Sequence, residues 1–164
     1  LVRDAQIVHL TGKGKIDEVR ELVAQHAGEQ VLTGLGDDAQ PGRDYHVAQY
    51  LERIDKAFGC ADLVICRAGA ATIGELCALG KPSIMVPSPY VAENHQEKNA
   101  RALEHAGACE VLLEKDATPQ TLLEMTERLL ADDARRAKMS RAAAGLAQLD
   151  AGEKIYQQIL SVLR

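Results

Sequence analysis

Short apolar segments alternate with longer amphipathic ones along most of this chain. The short segments are rich in apolar and β-branched residues and are predicted as strands: 5–10, 30–33, 45–50, 63–66, 83–86 and 109–113. Elsewhere apolar residues recur every three or four positions, which predicts helices at about 16–26, 52–58, 72–79, 93–106, 118–129, 133–146 and 152–163. This alternation predicts an α/β fold, in which helices flank an open, Rossmann-like parallel sheet with right-handed crossovers.

The stretch from Asp62 to Pro87 is predicted to form strand, loop, helix and strand. Residues 68–70 are Ala-Gly-Ala, a turn of small side chains that lets another molecule approach the main chain closely. Thr72 is predicted to cap the following helix, and Gly80 ends it. A helix N-terminus at the carboxyl end of a parallel strand offers free N–H groups and a positive dipole end. This stretch therefore predicts an anion site, for which phosphate is the usual ligand.

The tetrapeptide Thr72-Ile73-Gly74-Glu75 has two interpretations. It fits a capping box, in which the glutamate reaches back to the N–H of the cap residue. Alternatively, Glu75 accepts hydrogen bonds from a vicinal diol such as that of ribose. Gly74 favours the second interpretation, because glycine inside a helix costs ~1 kcal/mol and is explained if a ligand lies against that turn.

A second polar cluster, His95, Gln96 and Asn99, follows the strand at 83–86 and a proline-rich loop. One interpretation is a solvated helix start. The other is that Gln96, whose amide both donates and accepts, contacts the hydroxyl groups of a sugar. A metal site is not predicted, because Glu93, His95 and Glu97 spread around a helix.

Composition narrows the class of protein. The net charge of −5 and an aromatic content of 3% argue against nucleic-acid binding, which needs a basic face or aromatic stacking platforms. No apolar run approaches the ~20 residues of a membrane span.

The four cysteines form no Cys-x-x-Cys pair and lie among apolar residues, so we expect small buried thiols in a reducing, cytoplasmic setting. All three methionines are internal, so we expect an excised piece of a longer protein.

A long, spaced set of motifs resembles the donor-binding half of glycosyltransferase family 28, and above all its N-acetylglucosaminyltransferases that make lipid II. The resemblance spans roughly residues 5–130 and rests on these segments: His9–Gly14, Asp62–Glu75, Gly80–Pro82, Val86–Pro87, Asn94–Ala100 and Ala106–Ala108. It implies that residues 1–164 are a single UDP-sugar-binding domain, the C-terminal half of a GT-B enzyme. The family's first strand and its Gly-Gly-Ser loop do not occur before Ala5.

The same resemblance implies roles for individual residues. In UDP-GlcNAc, the diphosphate would bind at the loop and helix start of residues 69–74. Glu75 would bind the ribose, and Gln96 would contact the hydroxyls of the GlcNAc. The main chain of Leu51 would meet the uracil, and His95 stands where some members carry a second glutamine. The diphosphate contacts implied are Gly69, Ala70, Ala71, Thr72, Ile73 and Gly74. No catalytic residue, metal ion or cofactor is implied for this chain.

The implied reaction is transfer of GlcNAc to lipid I, which would bind through an N-terminal domain absent from this chain. We expect a peripheral enzyme on the cytoplasmic face of the bacterial plasma membrane.

An apolar stripe, Ile155, Ile159 and Val162, predicts self-association through the last helix. Two alternatives stay open: a non-catalytic subunit of a split glycosyltransferase, and half of a UDP-GlcNAc 2-epimerase. A dinucleotide oxidoreductase is disfavoured, because no Gly-x-Gly-x-x-Gly follows a strand.

Overall fold

A computed structural model describes residues 5–28, 32–33 and 45–163. The chain divides into two compact units, residues 1–57 and residues 58–164. Both contain parallel strands and helices, as the alternating pattern predicts.

The first unit holds a three-stranded parallel sheet. Its strands are β1 (Ile7–Leu10), β2 (Leu32–Thr33) and β3 (Tyr45–Ala48), in the order β1-β3-β2, and helix α1 (Ile16–Ala27) follows β1. The turn into α1 has left-handed backbone at Gly12 and Gly14, which only glycine adopts without strain. Gly34, Gly36, Pro41 and Gly42 predict a surface loop, and this loop lies outside the described residues.

The second unit is built around a parallel sheet of β4 (Val64–Cys66), β5 (Ser83–Met85) and β6 (Cys109–Val111), in that order. Helix α3 (Ala70–Leu79) joins β4 to β5, and helix α4 (His95–His105) joins β5 to β6. A short α2 (Ile54–Cys60) leads into this unit, and three helices end it: α5 (Pro119–Leu130), α6 (Asp133–Gly145) and α7 (Ala151–Val162). Thr118 caps α5, because its side chain accepts a hydrogen bond from the N–H of Thr121 at 3.1 Å.

The central strand β5 supplies both halves of the core of this unit. Ile84 packs with Leu112, Leu129 and Met139, whereas Met85 belongs to a second cluster on the α3 and α4 side, which also contains Leu76, Val64, Ala68, Ala100 and Cys109. Successive side chains of a strand point to opposite faces, so the two clusters cover the two faces of the sheet. This packing fixes the carboxyl ends of β4, β5 and β6 at one edge.

The prediction of four buried cysteines is wrong for Cys60, which is exposed, whereas Cys77 and Cys109 are buried. Cys60 is the last residue of α2, where its apolar neighbours in sequence do not cover it. Burial raises the pKa of the Cys66 thiol to about 11 and that of Cys109 to about 12. Both thiols therefore stay protonated at neutral pH and are poor nucleophiles.

Helix α7 exposes the predicted apolar stripe. Ile155, Ile159 and Val162 are each more than half exposed, and with Leu163 they line a shallow apolar pocket. Among the residues described, no helix combines the length and the apolar character that crossing a bilayer requires.

Candidate functional site

The N-terminus of α3 lies directly after β4, at the carboxyl edge of the sheet of the second unit. Its cap residue is Gly69, whose backbone is extended, and within the described residues no side chain caps it. The first intrahelical bond runs from the N–H of Ile73 to the carbonyl of Gly69, at 3.0 Å. The N–H groups of Ala70, Ala71 and Thr72 precede that bond and are available to a ligand, together with the positive end of the helix dipole.

The surface in front of this helix start is open. A Cβ placed on Gly69 or on Gly74 would meet no atom of the described residues within 4 Å. Ala70 and Ala71 are exposed and carry only methyl groups. An anion as bulky as a diphosphate can therefore approach the main chain without displacing a side chain.

The predicted capping by Thr72 is wrong. The helix begins at Ala70 and is capped by Gly69, so Thr72 lies inside the first turn and is not the cap residue. The physical reason is that alanine is the best helix former, and two alanines extend the helix toward β4. The capping box is thus not formed. Glu75 is exposed and makes no hydrogen bond or ion pair within the described part of the chain.

The second segment of the site, residues 86–99, follows β5. It begins with Val86 and Pro87, and a 3₁₀ turn, Ala92–Asn94, precedes α4. Helix α4 was predicted to begin near Glu93; it begins at His95, because Glu93 and Asn94 both adopt left-handed backbone, with φ of 53° and 52°. Left-handed backbone is uncommon for residues other than glycine, and here it sets the direction in which α4 starts.

Gln96 is already engaged through one half of its amide. Its Oε1 accepts a hydrogen bond from the backbone N–H of Ser88 at 3.0 Å, so the side-chain NH₂ is the group left for a ligand. His95 is exposed, and its Nδ1 lies 2.9 Å from the carbonyl of Ala92. A carbonyl only accepts, so Nδ1 carries the proton, and Nε2 of the neutral ring is an acceptor.

Two side chains that the sequence did not single out as ligands tie the loops together. Asn99 donates from Nδ2 to the carbonyl of Ala68 at 3.4 Å, linking α4 to the turn before α3. Arg67 donates to the carbonyl of Val86 at 3.1 Å and forms an ion pair with Glu114. Arg67 thereby connects the ends of β4 and β5 to the segment after β6. An arginine directly after an apolar strand was the available sequence signal for this role.

The predicted site residues fall into two groups. Gly69, Ala70, Ala71, Thr72, Ile73, Gly74, Glu75, His95 and Gln96 all belong to the second unit, at the edge where β4 and β5 end. Leu51 belongs to the first unit, where it is half-buried. Over residues 5–28, 32–33 and 45–163, no three His, Cys, Asp or Glu side chains converge as metal ligands.

The model of the glycosyltransferase family 28 C-terminal domain matches residues 1–156. The chain belongs to this family. The match includes both site segments, and it places the open N-terminus of α3 and the start of α4 within a family domain.

Two curated relatives of the chain share one name. A protein of Bifidobacterium longum is 49% identical over 162 residues, which is 99% of this chain and 41% of that protein. A protein of Caldanaerobacter subterraneus is 39% identical over 98% of this chain and 41% of its own length. Both are named UDP-N-acetylglucosamine–N-acetylmuramyl-(pentapeptide) pyrophosphoryl-undecaprenol N-acetylglucosamine transferase. The chain thus spans about two fifths of these relatives.

Solved structures agree with this family. MurG of Acinetobacter baumannii superposes with a TM-score of 0.79 at 26% identity, over 96% of this chain and 42% of that one. The glycosyltransferase VinC, solved with dTDP, superposes with a TM-score of 0.60 at 17% identity, over 88% of this chain and 31% of its own. The second likeness concerns the fold alone. The predicted fold, the C-terminal half of a GT-B glycosyltransferase, is confirmed.

Proposed function

We propose that this chain is the donor-binding part of an N-acetylglucosaminyltransferase, and that the whole enzyme transfers GlcNAc from UDP-GlcNAc to lipid I to form lipid II. The observation that carries this proposal is the 49% identity, over 99% of the chain, to a relative named for that transfer. The uncapped N-terminus of α3 supports it, because a UDP-sugar needs an anion site.

In this proposal the diphosphate lies against Gly69, Ala70, Ala71, Thr72, Ile73 and Gly74. Transfer breaks the bond between GlcNAc and UDP, and negative charge grows on the departing diphosphate. The N–H groups at the start of α3 are fixed before the reaction and meet this charge without reorganising. A base outside this chain accepts the proton of the acceptor hydroxyl. The proposed role of this chain in catalysis is therefore to stabilise the negative charge on the leaving UDP.

Four further residues are proposed to contact the donor, three through their side chains and one through its main chain. Glu75 accepts hydrogen bonds from the ribose, since its carboxylate is exposed and has no partner among the residues that the structure describes. Gln96 donates to a GlcNAc hydroxyl from the NH₂ that Ser88 does not use. His95 offers Nε2 to a second hydroxyl, and the main chain of Leu51 meets the uracil.

The whole enzyme is proposed to work on the cytoplasmic face of the bacterial plasma membrane, where a lipid-linked acceptor is accessible. In both relatives the region similar to this chain makes up 41% of a longer chain, which favours a single-chain enzyme over a split glycosyltransferase. Their names favour a transferase over a 2-epimerase. The exposed stripe on α7 is proposed to make the isolated chain self-associate.

The test is a calorimetric titration with UDP, with ADP and NADH as controls, followed by the same titration of Glu75→Ala. We expect selective UDP binding, which the variant weakens about tenfold because it loses a charged hydrogen-bond partner. The melting temperature should not change, since Glu75 makes no capping contact. Equal binding of UDP and ADP, or an unaltered affinity in Glu75→Ala, would contradict the proposal.

A further inference from the structure

The side chain of Arg67 extends the contact between β4 and β5 beyond the ends of the two strands. A main-chain bond joins these ends, from the N–H of Val86 to the carbonyl of Cys66 at 2.8 Å. Beyond it the chain turns toward α3, and the guanidinium of Arg67 supplies the next donor, from Nη1 to the carbonyl of Val86 at 3.1 Å. Val86 is thereby held from the side of the turn of residues 67–70, which leads into the proposed diphosphate site.

Val86 also begins a series of contacts that returns to the same turn. Two residues after it, the N–H of Ser88 donates to Oε1 of Gln96 at 3.0 Å. One turn further along α4, Asn99 donates from Nδ2 to the carbonyl of Ala68 at 3.4 Å, and Ala68 belongs to the turn of residues 67–70. The contacts form a closed circuit. The helix start that offers N–H groups to a diphosphate and the amide that is offered to a sugar are therefore held relative to each other.

Glu114 directs the side chain of Arg67. The Nη1 atom that donates to Val86 also forms an ion pair with Oε2 of Glu114. Glu114 lies in a 3₁₀ turn after β6, in which the N–H of Asp116 donates to the carbonyl of Leu113 at 2.9 Å. The Arg67 side chain is 53% exposed, so a charge-assisted bond to a carboxylate on an ordered turn restricts its rotamers. Exposed ion pairs contribute little to stability, so we expect this pair to affect the direction of Arg67 more than the free energy of unfolding.

The circuit matters for a ligand that touches both segments at once. In a UDP-sugar the diphosphate and the sugar are joined covalently, so the ligand itself fixes the distance between them. Both sets of contacts form fully only if the start of α3 and the Gln96 amide are already at the matching distance, because reordering them on binding would cost affinity. A ligand without a sugar, such as UDP, does not depend on this match.

We propose that Arg67, held by Glu114, is a positioning residue for the donor. Through Val86 and Ser88 it sets the place of Gln96 relative to the start of α3, and Glu114 acts through Arg67 alone. The inference rests on the proposed function, since it concerns how the diphosphate and sugar contacts of the same site are matched. Arg67 and Glu114 accordingly control how much affinity the sugar adds to that of the nucleotide.

The test is the ratio of UDP-GlcNAc affinity to UDP affinity, measured by calorimetry on the full-length enzyme. Arg67→Met keeps most of the side chain's length and loses both contacts, so the ratio should fall about tenfold. Arg67→Lys should keep the ratio within about threefold, because a single nitrogen makes both contacts and an ammonium has three donors. Glu114→Ala leaves Arg67 present but undirected, so the ratio should fall about fivefold.

Asp116→Ala is the matched control for the loss of charge. It removes a carboxylate from the same 3₁₀ turn, where Asp116 is exposed and its side chain forms no ion pair with any residue that the structure describes. The ratio should stay within about twofold of the wild-type value. The double variant Arg67→Met/Glu114→Ala should lose no more than Arg67→Met alone, because Glu114 has no effect once Arg67 is gone.

The outcomes separate this inference from the proposed function. An unchanged ratio in Arg67→Met or in Glu114→Ala, an equal fall in Asp116→Ala, or additive losses in the double variant would overturn the inference. Equal falls in UDP and UDP-GlcNAc affinity would also overturn it, because Arg67 would then serve the diphosphate and not the match. In each case UDP binding by the wild type leaves the proposed function standing. A wild-type enzyme that binds no UDP would overturn both.

A circular dichroism melt of each variant identifies any loss of folding. If Arg67→Met does not fold, Glu114→Ala and its control Asp116→Ala decide the question by themselves, since both substitutions are made at the surface turn after β6.

Discussion

The turn after β4 and the loop after β5 end neighbouring strands of one sheet, yet they are built in opposite ways. The first, residues 67–70, is short and leads into a helix start without a side-chain cap. The second, residues 86–94, is longer, has left-handed backbone at Glu93 and Asn94, and is held by side-chain hydrogen bonds.

The difference matches what each segment is proposed to bind. A diphosphate is recognised by charge and by main-chain N–H groups, so the segment that holds it needs small residues and free backbone. A sugar is recognised by its hydroxyls, each of which has to meet a donor or an acceptor in a defined direction. The segment that holds it therefore needs oriented side chains, and Gln96 is oriented by its bond to Ser88.

Ala71→Asp should give the largest effect on the first segment. The new carboxylate would lie among the free N–H groups of α3, where it repels and replaces the diphosphate. We expect UDP affinity to fall about 100-fold, equivalent to about 2.8 kcal/mol, in a calorimetric titration. The same carboxylate interacts favourably with the helix dipole, so the free energy of unfolding should rise by about 0.3–1 kcal/mol.

The matched control is Ala78→Asp, near the other end of α3, where the alanine is also exposed. It adds the same charge far from the helix start and should leave UDP affinity unchanged. If both variants weaken UDP binding equally, the loss comes from net charge, and the N-terminus of α3 is not the diphosphate site.

Gln96 gives the next largest effect and tests the second segment. Gln96→Glu keeps an oxygen for the N–H of Ser88 but removes the NH₂ proposed to contact the sugar. We expect UDP-GlcNAc affinity to fall about tenfold while UDP affinity and the melting temperature stay constant. Gln96→Ala should show the same loss of sugar affinity and also lower the free energy of unfolding by about 1 kcal/mol. A fall in UDP affinity would place Gln96 at the nucleotide instead.

The sheet and the identity of the first segment could be predicted from the sequence because they depend on local pattern. The apolar runs at 63–66, 83–86 and 109–113 became β4, β5 and β6, and the small residues after the first run became the turn. The exact start of α3 was mispredicted, since Gly69 and Thr72 are both good cap residues, and the helix propensity of Ala70 and Ala71 favours the earlier start.

The second segment was harder to predict because its structure depends on contacts between residues far apart in sequence. The bond from Asn99 to Ala68 and the bond from Arg67 to Val86 join different loops, and neither leaves a periodic signal in the sequence. The left-handed backbone at Glu93 also contradicts the local preference of glutamate. Sequence pattern therefore indicated which residues belong to this segment, but not which half of the Gln96 amide is free.

Gly74→Ala should have the smallest effect, and it separates folding from binding. Within the part of the chain that the structure describes, nothing lies within 4 Å of the added Cβ, so the alanine should raise the free energy of unfolding by about 0.5–1 kcal/mol through helix propensity alone. If the nucleotide lies against this turn, the same methyl group should lower UDP affinity about threefold, so the two quantities move in opposite directions. Gly145→Ala, near the end of α6, also adds a Cβ to open space and should leave UDP affinity unchanged. An alanine at position 74 that stabilises the protein and leaves UDP affinity intact would mean that the ligand contacts only the first turn of α3.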